Sequence, residues 1–216
     1  MNKRLLILPA VLGALTAVAY AAPSSRVAWT PATLALVKNA DADHGLALAS
    51  SLACDGCHTG NAMPEAPHIN GQTANYLYRQ LHDYQDGSRA HAIMSGVAKG
   101  LREQDMADLA AWYAKQDALP PVSAKGDVGK AEVLAEHGDN QRLIPACAAC
   151  HGGNGAGKGQ DVPRLAGQKP AYLAAMLRAY KTGQRHNDVY QRMRSLAAVL
   201  SEEEIKQLAE YYGELR

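Results

Sequence analysis

The sequence predicts an all-α fold made of two similar domains in tandem. The second half restates the first: residues 71–77 (GQTANYL) are answered by residues 167–173 (GQKPAYL), and residues 84–89 (YQDGSR) by residues 180–185 (YKTGQR). Apolar residues in both copies recur at positions i, i+4 and i+7, which is one face of a helix. No stretch of useful length alternates apolar and polar residues as a half-buried strand would.

Two long helices are predicted in each half. The helix after the Gly-Gln pair carries an apolar stripe at Leu77, Leu81 and Tyr84 and, in the second copy, at Leu173, Leu177 and Tyr180. The closing helix carries stripes at Met106, Leu109, Ala110 and Tyr113 and at Ile205, Leu208, Ala209 and Tyr212. Ser201 and Glu204 have the spacing of a capping box at the start of the last helix.

A shorter helix is predicted earlier in each half, over residues 43–53 and 128–137. Gly45 and Gly129 occupy equivalent places in these two helices. A glycine there lets the backbone lie close against a neighbouring element. We expect that neighbour to be the aromatic pair of the closing helix, Trp112 and Tyr113 or Tyr211 and Tyr212.

Composition divides the chain into a signal peptide at 1–21, a first domain at 22–118, a linker at 119–126 and a second domain at 127–216. The linker (LPPVSAKG) has consecutive prolines, which cannot continue a helix, and a glycine soon after. Residues 1–21 join a basic start (Lys3 and Arg4), an apolar run and a small-residue cleavage site. An uncleaved anchor is the alternative, although the apolar run is short beside the roughly 20 residues of a membrane span. We expect a periplasmic protein, either free or associated with the membrane.

The charge balance excludes one class of partner. The chain has 22 basic and 21 acidic residues, and removal of Lys3 and Arg4 with the signal leaves a net charge of −1. Nucleic-acid binding calls for a basic patch or stripe. We therefore expect no nucleic-acid partner.

All four cysteines lie in two copies of one pentapeptide, CDGCH at residues 54–58 and CAACH at residues 147–151. C-x-x-C-H is the attachment signature of c-type haem. Its two thiols reach the two vinyl groups of one porphyrin as thioethers, and the histidine that follows ligates the iron. The pattern predicts two covalently bound haem c groups, attached through Cys54, Cys57, Cys147 and Cys150 and ligated by His58 and His151.

Three other uses of the cysteines fit the pattern less well. A zinc ribbon needs a second C-x-x-C about 15 to 20 residues after the first, whereas 89 residues separate Cys57 from Cys147. A thioredoxin-type redox pair needs a βαβ setting and gives no reason for the histidine. Structural disulfides are common in exported chains, but they predict neither the fixed spacing nor the repeated histidine.

The glycine-rich segment at residues 152–159 (GGNGAGKG) resembles a phosphate-binding loop only superficially. No predicted strand precedes it and no G-K-[ST] ends it. We interpret it as a loop that lets the backbone wrap the edge of the haem.

The second iron ligand decides whether a haem carries electrons, binds a gas or catalyses. Met94 and Met193 are the candidates, since they lie 36 and 42 residues after their haem histidines, each before the closing helix of its half. Met106 and Met176 lie on apolar helix faces and are interpreted as core, and Met63 is too near His58 to cross the porphyrin. The remaining histidines lack counterparts in the other half and are interpreted as surface or hydrogen-bonding residues: His44, His68, His82, His91, His137 and His186.

The whole pattern resembles the dihaem cytochrome c4 family over nearly all of the chain after the signal. The resemblance is carried by two C-x-x-C-H motifs, P-x-x-x-G-Q-x-x-x-Y-L, Y-x-x-G-x-R and a following methionine. It implies two class I cytochrome c domains, each wrapped around one covalent haem. It also implies that the carbonyls of Pro67 and Pro163 orient the haem histidines. The implied axial ligands are His58 and Met94 in the first domain and His151 and Met193 in the second.

The resemblance implies a periplasmic carrier of single electrons, not an enzyme, between a respiratory donor and a terminal oxidase or reductase. The donor would be a quinol-oxidising cytochrome complex or a dehydrogenase. Two alternatives stay open. One is a haem enzyme, either a dihaem peroxidase or a small-molecule dehydrogenase, which would need an open iron position. The other is the cytochrome subunit of a larger dehydrogenase.

Overall fold

The computed structural model describes residues 24–60, 63–118, 120–121 and 128–216. These residues form eleven α-helices and one short 3-10 helix at Val189–Gln191. The helices of the first half are α1 Pro31–Lys38, α2 Ala42–Ser51, α3 Asp55–His58, α4 Ala74–Asp86, α5 Met94–Lys99 and α6 Glu103–Lys115. Those of the second half are α7 Gly129–His137, α8 Cys147–His151, α9 Pro170–Lys181, α10 Arg192–Ala198 and α11 Glu202–Glu214.

The two halves have the same arrangement of five helices, α2 to α6 and α7 to α11. In the first half α6 packs against α2 and α4, and α4 packs against α5; in the second, α11 packs against α7 and α9, and α9 against α10. Each half has its own hydrophobic core. Met106 and Ile205, which are fully buried, occupy matching positions in the two cores. The all-α prediction is confirmed, with isolated β-bridges only, at Asp139–Ile144 and Lys158–Val162, among the described residues.

Local sequence signals set the helix ends. The Asp41 side chain accepts from the backbone N–H groups of Asp43 and His44, so α2 begins at Ala42 and ends at Ser51, slightly before the predicted 53. Gly87, in the left-handed region at φ 83°, follows the end of α4. The predicted capping box at Ser201 and Glu204 is confirmed, with both reciprocal hydrogen bonds formed.

Gly45 explains how closely α2 lies on α6. A Cβ at this position would stand 2.1 Å from the carbonyl oxygen of Asp108 and 2.9 Å from the Cβ of Trp112. The backbone contact predicted between this glycine and the aromatic end of the closing helix is therefore confirmed for the first half.

Two of the predicted segments fall outside the described residues. The signal peptide at 1–21 lies wholly outside them, and of the linker at 119–126 only Pro120 and Pro121 are described. The four segment boundaries accordingly stay predictions. None of the helices in the described part of the chain combines the length and apolarity that crossing a bilayer requires.

Candidate functional site

Each pentapeptide forms one helical turn. Cys54 is the N-cap of α3 and His58 its last residue, while Cys147 opens α8 and His151 ends it. One turn thus presents two thiols and an imidazole in each half, as covalent haem attachment requires.

The thiols lack the character of a redox pair. Burial raises the pKa of Cys54 above its ordinary value, and burial likewise raises the pKa of Cys147. Catalytic C-x-x-C pairs depend on a thiolate whose pKa is lowered. The raised pKa values of Cys54 and Cys147 therefore disfavour the thioredoxin-type interpretation.

The two predicted haem histidines are buried and held in one orientation. Nδ1 of His58 lies 2.8 Å from the carbonyl oxygen of Pro67, and Nδ1 of His151 lies 3.0 Å from that of Pro163, as the resemblance implies. The Nδ1–H donates to the carbonyl, which leaves the lone pair of Nε2 for a metal. Burial lowers the pKa of both imidazoles. Both are therefore neutral at physiological pH, the form that ligates iron.

The two candidate methionines lie at the start of equivalent short helices. Met94 opens α5, and Met193 is the second residue of α10; both are half-buried. The N–H of Met94 donates to Nδ1 of His91 over 3.4 Å. The two methionines therefore occupy equivalent places in the repeat, and the role of either one as a ligand stays a prediction.

Three of the six rival histidines are exposed, and a fourth lies beside His58 itself. His91, His137 and His186 are exposed. His68 is 8 % exposed, but its Nδ1 lies 3.5 Å from the backbone carbonyl of His58, next to the proximal imidazole itself.

The glycine-rich loop supports the proximal side of the second half. Gly157 has φ 83°, and a Cβ there would stand 2.7 Å from the carbonyl carbon of Pro163 and from the backbone nitrogen of Arg164. Its N–H donates to the carbonyl of His151 over 2.8 Å. The loop therefore packs directly on the peptide that orients His151, where only glycine fits without strain.

Two glutamines join the halves reciprocally. Gln168 accepts from the N–H of His68 and donates to its carbonyl, both over 2.8 Å. Gln72, its counterpart, accepts from the N–H of Arg164 over 2.8 Å and donates to its carbonyl over 3.0 Å. All four partners are buried or half-buried. The same repeated position therefore makes the same pair of bonds in both directions.

Two buried arginines, Arg89 and Arg185, lie at the boundary between the two halves and have no carboxylate among their described hydrogen-bond partners. The described hydrogen-bond acceptors of the Arg89 and Arg185 guanidinium groups are all uncharged: Gln80, Tyr76, Tyr172, Met176 and Asn187. A buried cation without a counter-ion is costly. The N–H groups of Arg89 and Arg185 would therefore suit an acidic partner. Haem carries two carboxylates, so these residues fit the cofactor that the sequence implies.

These boundary residues were not predicted from the sequence as contacts between the halves. Repetition alone marked residues 71–77 and 84–89 and their copies, and it could have flagged Gln72, Arg89, Gln168 and Arg185 as more than surface polar residues. A repeated polar residue inside an otherwise apolar pattern is the signal that was available.

Comparison with known proteins places the chain in a family. The family model for Cytochrome c matches residues 42–116 and 139–215. Cytochrome c4 of Pseudomonas aeruginosa is 34 % identical over 178 residues, covering 80 % of this chain and 89 % of that protein. The crystal structure of reduced recombinant cytochrome c4 from Pseudomonas stutzeri superposes with a TM-score of 0.77 at 33 % identity, covering 82 % of this chain and all of that one.

The chain belongs to the dihaem cytochrome c4 family. As a cytochrome c4 it binds two haem c groups covalently, one in each cytochrome c domain, and it is a c-type electron carrier. The predicted architecture of two tandem cytochrome c domains is thereby confirmed.

Other relatives of this cytochrome c4 are named for a partner enzyme. The thiosulfate dehydrogenase electron acceptor of Stutzerimonas stutzeri strain A1501 is 37 % identical over 172 residues, which cover 76 % of this chain and 79 % of that protein. The structure of thiosulfate dehydrogenase (TsdBA) from Marichromatium purpuratum superposes with a TM-score of 0.75 at 33 % identity, over 81 % of this chain and 40 % of that one.

Proposed function

We propose that this cytochrome c4 carries single electrons in the periplasm, from a respiratory donor to a terminal oxidase or reductase, and makes no bonds in a substrate. The residues that would hold the haems are Cys54, Cys57, His58 and Met94 in the first domain and Cys147, Cys150, His151 and Met193 in the second. When bound, each haem supplies a one-electron iron couple.

The observation that carries the proposal is the matched proximal geometry of the two domains. His58 and His151 are both buried, neutral and held through Nδ1 by a proline carbonyl, so each presents Nε2 in a fixed direction. Met94 and Met193 begin equivalent helices, α5 and α10. With His58 and Met94 holding one haem and His151 and Met193 the other, neither iron would offer a substrate an open position. Methionine as the second ligand raises the reduction potential relative to a second histidine, which suits a carrier to an oxidase.

The contacts between the domains support a relay within one unit. Hydrogen bonds cross the boundary in both directions from Gln72, Gln168, Arg89 and Arg185. Contacts in both directions favour a fixed arrangement of the two domains, which would keep the distance between two bound haems constant during electron transfer.

Export is supported by two observations outside the fold. The segment at 1–21 has the sequence pattern of a secretory signal. The covalent haem of this family also suits attachment outside the cytoplasm. We propose that the mature protein starts near Ala22 and works in the periplasm.

The relatives favour a dehydrogenase as one donor. The thiosulfate dehydrogenase electron acceptor of Stutzerimonas stutzeri matches most of the chain. A second candidate function is therefore that of the electron-accepting cytochrome of such a dehydrogenase, with the oxidation of the substrate carried out by the partner. Co-purification of a second polypeptide, and reduction of this protein by it with thiosulfate, would distinguish this role from that of a free carrier.

The proposed function is tested by the optical and electron paramagnetic resonance spectra of the purified ferric protein. We expect two low-spin haems and the long-wavelength band of methionine-to-iron ligation. Met94→Ala and Met193→Ala should each lower one potential and open that haem alone to added cyanide or imidazole. A high-spin or methionine-free haem in the parent protein would instead indicate catalysis at that domain.

A further inference from the structure

The peptide that orients each proximal histidine is held at its other end by the opposite domain. The Pro67–His68 peptide accepts from His58 Nδ1 through its carbonyl, and its N–H donates to Oε1 of Gln168 over 2.8 Å. One planar unit therefore links the haem histidine of the first domain to a side chain of the second.

The second domain has the mirror arrangement. The Pro163–Arg164 peptide accepts from His151 Nδ1, and its N–H donates to Oε1 of Gln72 over 2.8 Å. Gln72 and Gln168 are each 6 % exposed, so water does not compete for these bonds. A second bond from each amide, to the carbonyl of Arg164 or His68, fixes the rotation of the amide.

We propose that Gln168 and Gln72 are positioning residues that set the electron donation of the haem histidine in the opposite domain. This rests on the proposed function, in which His58 and His151 ligate the two irons. Each domain thereby contributes to the reduction potential of the haem it does not contain.

The physical basis is the polarisation of hydrogen bonds in a chain. An acceptor on the N–H of a peptide makes its carbonyl a stronger acceptor, and this strengthening is larger in a low-dielectric interior. A stronger bond from Nδ1–H gives the imidazole more anionic character and makes it a better donor to iron. More donation stabilises the ferric state. Each glutamine therefore lowers the potential of the haem in the other domain.

The arrangement also ties both potentials to the contact between the domains. A partner that separated or rotated the two domains would weaken both relays at once. Both haems would then become easier to reduce together. Both haems would respond because the two glutamines act reciprocally, whereas a single contact would change the potential of one haem alone.

A merely structural glutamine predicts a different result. If Gln168 only held the domains together, its loss would affect both haems alike or affect stability alone. If it acted within its own domain, the haem of His151 would respond. The relay predicts that the haem of His58 responds, so the identity of the haem that shifts separates the three cases.

The test uses the holoprotein with Gln168→Leu and Gln72→Leu and measures both potentials by redox titration. The haems are assigned by proton resonances of the axial methionines, which should vanish one at a time in Met94→Ala and Met193→Ala. We expect Gln168→Leu to raise the potential of the first haem and shift the ring-proton signals of His58, with the second haem unchanged. Gln72→Leu should raise the potential of the second haem and shift the ring-proton signals of His151, with the first haem unchanged.

Two further variants keep the test decisive. Gln168→Glu retains an oxygen acceptor for the His68 N–H and should restore the first potential to the parent value or below, even if Gln168→Leu fails to fold. Gln104→Leu is the matched control, because its amide donates to Asp108 within one domain, and it should move neither potential.

The outcomes for the relay and for the ligands are separable. Equal shifts of both haems, a shift confined to the haem of the mutated domain, or no shift would overturn the relay. Retention of both methionine signals in Met94→Ala and Met193→Ala would overturn the ligand assignment, whatever the glutamine variants do.

Discussion

Arg89 in the first domain donates a hydrogen bond to the hydroxyl of Tyr172 in the second, with 3.1 Å between Nη2 and the oxygen. Arg185 donates in return to the hydroxyl of Tyr76 over 2.9 Å. Each guanidinium also lies 4.6 Å from the ring centroid of the tyrosine that opens its own Y-x-x-G-x-R motif. One repeated set of residues is therefore used twice across the boundary, and each domain supplies the hydroxyl that accepts from the arginine of the other.

The first prediction concerns this exchange. Tyr172→Phe should lower the free energy of unfolding of the holoprotein by about 1–2 kcal/mol, because it leaves a buried guanidinium short of an acceptor. The measurement is denaturant unfolding followed by circular dichroism. Tyr190→Phe is the matched control, since Tyr190 is 81 % exposed, and it should have almost no effect. Equal values for the two variants would show that the Arg89–Tyr172 bond adds nothing to stability.

The core of the fold was predictable because burial depends mainly on a residue's own polarity and position. Met106 and Ile205 were assigned to apolar stripes, and both are fully buried. The capping box at Ser201 needed only local spacing and was also predicted correctly. Helix α1 was missed, although Thr30 followed by Pro31 is a start signal, because that segment has no copy in the second half.

The contacts between the domains were not predictable in the same way. Gln72 and Gln168 bond to backbone N–H and carbonyl groups, which every residue except proline offers equally. Nothing in the sequence therefore says which backbone groups they meet. The contacts that orient His58 and His151 could be predicted because the family resemblance implies the roles of Pro67 and Pro163. The prediction of the second ligand rests on the matching positions of Met94 and Met193.

The second prediction concerns the contact of α2 with α6. Gly45→Ala should destabilise the first domain by about 3 kcal/mol, the upper range for overpacking, because the added Cβ would meet the rigid backbone of Asp108. Thermal unfolding of the holoprotein measures it. Ser50→Ala, at an exposed position of the same helix, is the control and should be neutral or stabilise by about 0.5 kcal/mol, because alanine has the higher helix propensity. A Gly45→Ala protein as stable as the parent would mean that α2 can move away from α6 without cost.

The third prediction is a pH dependence at the start of α11. Hydrogen bonding to Arg142, followed by that to Ser201, lowers the pKa of Glu204 from 4.5 to about 2. Because the folded pKa lies below the unfolded one, the stabilisation is complete above about 4.5 and is lost as the pH falls toward 2. Glu204→Gln should therefore cost about 1 kcal/mol at pH 6, a typical helix-cap value, and much less at pH 3.

Urea unfolding at the two pH values gives the difference between parent and variant. Glu203→Gln is the control, since the described partner of Glu203 is the uncharged Gln207. The same cost at pH 6 and pH 3 for Glu204→Gln would show that the ionised carboxylate is not what stabilises this turn.

The fourth prediction concerns Lys169, a charged residue of the second domain that has no charged counterpart in the first. Lys169 is 3 % exposed, and its Nζ donates to the carbonyl of Met63, in the loop after His58, over 2.9 Å. After burial, the charge of Lys169 contributes to the lowering of the His58 pKa. The residue at the matching place in the first domain is Thr73, which is uncharged. A positive charge from the second domain therefore lies beside the predicted proximal histidine of the first haem, at a position where the other copy of the repeat has no charge.

A nearby positive charge favours the ferrous over the ferric state, so Lys169 raises the potential of the first haem. Lys169→Met should lower the potential of the first haem by about 20–80 mV, the equivalent of about 0.5–2 kcal/mol for a partly screened charge. The second haem lies farther from this charge, so its potential should change by roughly a few mV at most. Lys206→Met, on the exposed face of α11, is the matched control and should move neither. Redox titration with the haems assigned through their axial methionines measures the effect. A fall in the second potential instead, or equal falls in both, would place the charge of Lys169 elsewhere than beside His58.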